Sequence, residues 1–205
     1  MFSSALRPTL LWVLVIATLL AGACGGTSSR LVVIHTTDVH GYFSMPSDPA
    51  DPGGLERLAA YLDARRKEGP VLLVDSGDVW SGTQLSDRTE GALGVAAYNL
   101  LGYDAVALGN HEFDYGPLGE RRQGGDEPFG ALKTRLAESR FPHLAANLED
   151  RTTSLPPAWE GLTQTTIVER GGYKVGLVGV ITPDTPEITF PHVGERLLFT
   201  SPAEA

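Results

Sequence analysis

Apolar and polar positions along this chain switch between two periods. Unbroken apolar runs stand at Leu31-Val32-Val33-Ile34, Val71-Leu72-Leu73-Val74 and Ala105-Val106-Ala107-Leu108. Short continuous runs of this kind mark strands buried on both faces of a parallel sheet. Between them the period becomes that of a helix. Leu55, Leu58, Ala59 and Leu62 follow the i, i+3, i+4, i+7 spacing behind Gly53-Gly54 and end at Gly69-Pro70, and Leu93, Ala96, Ala97, Leu100 and Leu101 repeat the pattern before Gly102. The pattern predicts strands over 30–35, 71–74 and 105–108 joined by helices, hence β-α-β units in a largely parallel α/β sheet. Leu132 to Leu136 predicts a short helix and Leu144-Ala145-Ala146 a fourth strand. Thr165 to Val168 and Val175 to Ile181 predict a hairpin turning at Gly171-Gly172. Residues 116–130 and 150–161 have the Gly, Pro and charged composition of loops.

The first residues stand apart from this pattern. Arg7 precedes an apolar run from Leu10 to Leu20, followed by Ala21-Gly22-Ala23-Cys24. A positive start, a short apolar stretch and a small-residue cleavage site predict a secretory signal over 1–23. A membrane-spanning helix needs about 20 apolar residues, more than this run supplies. Cys24 is the only cysteine of the chain, so no intrachain disulfide can form. Its position at the cleavage point predicts lipidation, with Gly25-Gly26-Thr27-Ser28-Ser29 as a flexible tether over 24–29. The chain is therefore expected in a bacterial cell envelope, lipid-anchored, with periplasmic or secreted release as the alternative. Residues 30–205 are enough for one domain with its own core.

Asp and Glu number 25 against 16 Lys and Arg, a formal charge of −9. No basic stripe is present, which argues against a nucleic-acid polymer as partner. The cluster Arg65-Arg66-Lys67 fits the end of a helix, where cations match the dipole. A small phosphorylated substrate remains compatible with an acidic chain if metal ions bring the positive charge.

Directly behind each of the three apolar runs comes a short cluster of oxygen and imidazole donors: Asp38-Val39-His40-Gly41, Gly77-Asp78 and Gly109-Asn110-His111-Glu112. Ligand sites in α/β sheets sit at the carboxyl ends of strands, so the three clusters are expected to converge there. Phosphate-ester hydrolysis needs a hydroxide nucleophile and charge stabilisation on phosphoryl oxygens, which two divalent ions supply together. Asp38 and His40, two apart on an extended segment, would point to one side and bind one metal. A carboxylate that bridges the two ions must come from a rigid position, for which Asp78, at a strand end, is the candidate, and Asn110 offers a neutral oxygen to the second ion. His111 and Asp114 form a pair in which the carboxylate holds one ring nitrogen and leaves the other for substrate; the plainer role for His111 is to satisfy a helix start. With no thiolate, the donors favour Mn, Zn, Fe or Ca. His35, His143 and His192 read as structural or exposed. Asp75, Asp104 and Asp184 read as strand-end and turn residues. Trp80 and Phe113 suit either a pocket or the core.

Taken together, Ile34 to Gly41, Val74-Asp75-Ser76-Gly77-Asp78 and Gly102 to Gly116 resemble the calcineurin-like metallophosphoesterases. Within them they are similar to the secreted 5′-nucleotidase branch, which also holds 2′,3′-cyclic-nucleotide phosphodiesterases, UDP-sugar hydrolases and a thiosulfohydrolase. The likeness continues through Ala146-Asn147-Leu148 and Lys174 to Pro183, and Thr37 departs from it where Asn is usual. The resemblance implies a metallophosphoesterase-type α/β sandwich and a hydrolase of phosphate esters, most of all nucleotides. It assigns Asp38 and His40 to the first metal, Asp78 to the bridge, Asn110 to the second metal, and His111 with Asp114 to the catalytic dyad. It also implies three further histidine ligands and a nucleotide-gripping domain beyond residue 205, with Leu198 to Ala205 as the entry to a helix. On that reading the domain is incomplete at its C-terminus and this segment alone has little activity. Two other readings stay open on the residues: a membrane-tethered remnant that binds metal or a partner without turnover, and a sulfur-ester hydrolase on the same site.

Overall fold

The computed structural model describes residues 30–43, 54–119 and 127–205. The expected signal 1–23 and tether 24–29 with Cys24 lie outside these residues, as do Gly53 and positions 120–126 of the expected loop. Strands β1 (Val32–Thr36), β2 (Val71–Asp75), β3 (Ala105–Ala107) and β4 (His143–Leu144) are joined by helices, and beyond β5 (Leu148–Asp150) the chain enters β6 (Leu162–Thr163) through a loop. Among the described residues, β1-β2-β3-β4-β6 make a five-stranded sheet in that order, parallel at every pairing. The register pairs Thr36 with Asp75, Asp75 with Val106 and Ala107 with Leu144, so the carboxyl ends of the first three strands finish level.

Helices α1 (Leu55–Glu68), α2 (Gln84–Arg88), α3 (Ala92–Leu101) and α4 (Gly130–Glu138) supply the other half of the core. Leu62, Val95, Tyr98, Leu132 and Leu136 join Val71, Leu73 and Val106 in one buried cluster. Each large apolar side chain taken out of water there contributes on the order of 1.5–3 kcal/mol. The basic last turn of α1 has the expected dipole match, and Arg66 also donates to the Leu101 and Gly102 carbonyls that end α3. Trp80 and Phe113, at about 1% and 0% exposure, belong to the core and not to a pocket wall.

Strands β7 (Thr165–Arg170) and β8 (Tyr173–Val178) form the expected antiparallel hairpin. Gly171 and Gly172 both take positive φ, 56° and 84°, as a tight hairpin turn with the right-handed strand twist demands. The hairpin stops at Val178, short of the expected Ile181. From there Asn147, fully buried, replaces the strand ladder with its side chain. Its Oδ1 accepts the Ile181 amide, and its Nδ2 donates to the Ile181 and Thr200 carbonyls. Helices α5 (Thr185–Ile188) and α6 (Pro191–Arg196) lead into β9 (Leu197–Phe199), which pairs antiparallel with β5.

Two further expectations are corrected. The fourth strand ends at Leu144: the Ala145 amide makes the last bond to β6, at the Thr163 carbonyl, and the Ala146 amide turns away to the Gly179 carbonyl. The segment from Leu198 begins in a strand and not in a helix entry, since Phe199 packs edge-on against Phe113 in the core. Among the described residues no helix is long and apolar enough to cross a membrane.

His143 is buried and structural, as its lack of acidic neighbours suggested. Its ring packs on Trp80 and Phe141. Ser139 spends its proton on the Arg135 carbonyl, so its oxygen accepts from His143 Nε2 and fixes the tautomer. Burial pushes the imidazole down to about 3. Unfolding then takes up a proton between pH 6.5 and about 3, and stability falls as the pH falls through that window, by up to about 1.4 kcal/mol per unit. His143→Gln is expected to lose less stability between about pH 7 and about pH 5 than the wild type. Urea denaturation at both values checks this, and equal losses in the two proteins would contradict it.

Candidate metal centre

The loops that leave β1, β2 and β3 meet at the carboxyl edge of the sheet. The Asp38 amide donates to the Gly77 carbonyl, His40 to Asp78 and Gly41 to Val79, so the first loop rides on the second. This pairing bends the first loop out of an extended path. Asp38 (φ 53°) and His40 (φ 49°) both lie in the left-handed region, which corrects the expectation that an extended segment aligns them. Asp78 (φ 58°) shares that conformation and stands three residues past the end of β2, not at the strand end. Each non-glycine residue there costs on the order of 1 kcal/mol or more, which the surrounding hydrogen bonds must offset.

The bends bring the donors together. A His40 ring nitrogen, an Asp78 carboxylate oxygen and a His111 ring nitrogen lie within 4.8 Å of one another, and Asp38 Oδ1 is 3.8 Å from His40 Nε2. The two imidazoles meet edge to face at 4.8 Å. His40 Nδ1 lies 2.9 Å from the Ser81 carbonyl, which can only accept, so Nδ1 carries the proton and Nε2 holds a free lone pair. His111 Nδ1 is 2.6 Å from Asp114 Oδ2, the pairing expected from their spacing. Both rings are thus anchored at one nitrogen and open at the other, as metal-binding or proton-handling histidines are. His111 also opens a short 3-10 turn (His111–Phe113), so the helix-start role and the pair with Asp114 coexist. Asn110 heads that turn between two fixed amides, while Cys24 lies outside the described residues.

Asp38, Asp78 and Asp114 gather carboxylates around two imidazoles. Such a concentration of negative charge, all oxygen and nitrogen donors, suits a divalent cation. The charges also act on His111. Burial pulls its imidazole down, but the Asp114 hydrogen bond and charge, with help from Asp78 and Glu112, hold it above the usual histidine value.

Two carboxylates behind the site, Glu112 and the strand-end Asp75, had no part in the chemistry read from the sequence. Asp75 accepts from Thr36 Oγ1 (2.5 Å), the Gly77 amide (2.7 Å) and Tyr98 Oη (2.8 Å), and burial raises its pKa against those donors. Glu112, fully buried, accepts from the amides of Asp78 (2.9 Å), Val79 (2.8 Å) and Gly109 (2.7 Å). Burial and the Asp78 charge push it up to about 7, while the three amides pull the other way. Its position inside the Gly109-Asn110-His111-Glu112 cluster was the available signal, but nothing local tells a buried glutamate from an exposed one. His35, by contrast, bonds Ser76 Oγ on the sheet surface and takes no part in the site.

The model for the calcineurin-like phosphoesterases matches residues 31–191, and the chain belongs to that family. It is 36% identical over 182 residues to 5′-nucleotidase of Rattus norvegicus, covering 84% of this chain and 29% of the relative. It is 31% identical to Protein UshA of Escherichia coli, covering 85% of this chain and 30% of that protein. Among solved structures it is similar to the 5′-nucleotidase precursor of Thermus thermophilus, with a TM-score of 0.68 and 32% identity, over 85% of this chain and 32% of that one. The chain thus spans about 30% of the length of the curated relatives it matches.

Removing the Asp114 charge should release His111 from its raised state. In metal-free protein, NMR titration is expected to find His111 above the ordinary value near 6.5 in the wild type and clearly lower in Asp114→Asn. An unchanged titration would mean that the pair does not form.

Proposed function

We propose that this chain carries the metal-binding part of a phosphate-ester hydrolase that acts on nucleotides. The carrying observation is the convergence of His40, Asp78 and His111, with Asp38 beside them, from three consecutive sheet-edge loops. Kinship with a 5′-nucleotidase supports the nucleotide as substrate. Asp38 and His40 would hold one divalent ion, Asp78 would bridge, and Asn110 would reach the second. Divalent ions at such donors acidify water and neutralise phosphoryl oxygens.

The chain's own groups supply the rest. Ser81 fixes the His40 tautomer, and Asp114 holds the His111 proton at Nδ1, leaving Nε2 to face the substrate. A raised pKa keeps more of the His111 ring protonated near neutral pH, the form that gives a proton to a departing alkoxide. The chain spans about 30% of the length of its curated relatives, so the tests belong on the native protein.

His111→Ala is expected to slow hydrolysis of 5′-AMP by about 10²–10⁴-fold while the metal content stays unchanged. Unchanged turnover would remove the dyad, and a wild-type protein that binds metal without turnover would leave a binding role in place of the enzyme. The N-terminal pattern supports export and a lipid anchor on Cys24. Cys24→Ser is then expected to move the protein from the membrane fraction to the soluble one, and continued membrane association would overturn the anchor.

A further inference from the structure

Glu112 touches neither solvent nor the open side of the site, yet three backbone amides from two different loops end on its carboxylate. Oε2 takes the amides of Asp78 and Gly109, and Oε1 takes that of Val79. The bonding is returned in the opposite direction. Asp78 Oδ1 accepts the His111 amide at 2.9 Å, so each loop carries a carboxylate that holds the other loop's backbone. The loops also touch without intervening side chains. A Cβ on Gly109 would run into the Asp78 backbone nitrogen, and a Cβ on Gly77 would run into the Gly109 nitrogen.

This double bonding sets where Asp78 stands relative to His111. Asp78 holds a left-handed φ of 58°, a conformation in which any Cβ crowds the backbone and which Asp tolerates better than most residues but not as freely as glycine. Two amide bonds from Glu112, to Asp78 and to its neighbour Val79, pin the backbone on both sides of that strained angle. One oxygen of Asp78 is committed to the His111 amide, and the carboxylate still offers an oxygen to the donor cluster. Without Glu112, three amides would be left buried and unpaired, each costing on the order of 1–3 kcal/mol until the loops separate and reach water. The loops would part along the line that sets the donor spacing.

We propose that Glu112 is a positioning residue that locks the Gly77–Val79 and Gly109–His111 loops into one unit, so that divalent-ion affinity depends on a side chain that contacts no ion. The consequence for affinity rests on the metal reading above; the lock itself does not. Amide exchange therefore tests the lock on metal-free protein, and Mn²⁺ titration tests the consequence.

NMR-detected exchange is expected to show the Asp78, Val79 and Gly109 amides protected together in the wild type. In Glu112→Gln, whose amide group presents a donor where an acceptor is needed, all three should exchange at least about tenfold faster, and Mn²⁺ affinity should drop about 10–100-fold. Leu62→Val, a core change on α1 with a comparable loss of Tm, should keep both properties. Fast exchange of these amides in the wild type overturns the lock without any variant, which covers the case that Glu112→Gln fails to fold. Wild-type affinity in a folded Glu112→Gln, or an equal loss in Leu62→Val, also overturns the proposal. Protected amides in a wild type that takes up no Mn²⁺ would support the lock and overturn the metal reading instead.

Discussion

Backbone amides at the carboxyl ends of parallel strands run out of sheet partners, and the site of this protein follows from how they are satisfied. A buried N–H that finds no acceptor costs about as much as a lost hydrogen bond, so every loop that leaves the sheet edge must find one. The loop after β1 gives its amides to carbonyls of the loop after β2. The loop after β2 gives two of its own to Glu112, which sits in the loop after β3. That third loop returns an amide to Asp78. The donors Asp38, His40, Asp78 and His111 are carried on the segments that these bonds tie together. Their convergence is thus a by-product of backbone satisfaction as much as of side-chain chemistry.

A second layer beneath the loops makes the arrangement stiff. Asp75 closes β2 and draws Thr36, Tyr98 and the Gly77 amide onto one buried carboxylate, while Tyr103 bonds Thr36 and stacks on Tyr98 at 3.9 Å. Burial raises the pKa of both phenols, so each stays a neutral donor. The strained left-handed residues above are tolerable because this base cannot relax beneath them. Exposed charge then concentrates on one side of a rigid edge. Few arrangements of like charge are stable there without a cation to share.

Hydrophobic periodicity carried the core legibly. The runs at Leu31, Val71 and Ala105 became β1, β2 and β3 within a residue or two, and the spacing of Leu55 to Leu62 and Leu93 to Leu101 became α1 and α3. Those signals are local, because burial on a sheet or helix face selects residue type directly. The hairpin turn at Gly171-Gly172 was equally legible, since few residues accept two positive φ angles in a row. Where long-range partners decided, the reading slipped. β4 stopped early because the Ala146 amide found the Gly179 carbonyl outside the sheet, and β9 replaced a helix entry because β5 offered it an edge.

For the site, sequence alone determined which chemical groups stand behind which strands: Asp38 and His40, Asp78, then Asn110 and His111 with Asp114 in reach. The type of residue and its order along the chain suffice for that. Only the tertiary structure decided their backbone geometry, left-handed at Asp38, His40 and Asp78 where an extended segment was expected. It also decided that Glu112 is buried beneath them as an acceptor for three amides and not exposed at the rim. Both facts depend on contacts between loops more than 30 residues apart, and a spacing rule reads only neighbours.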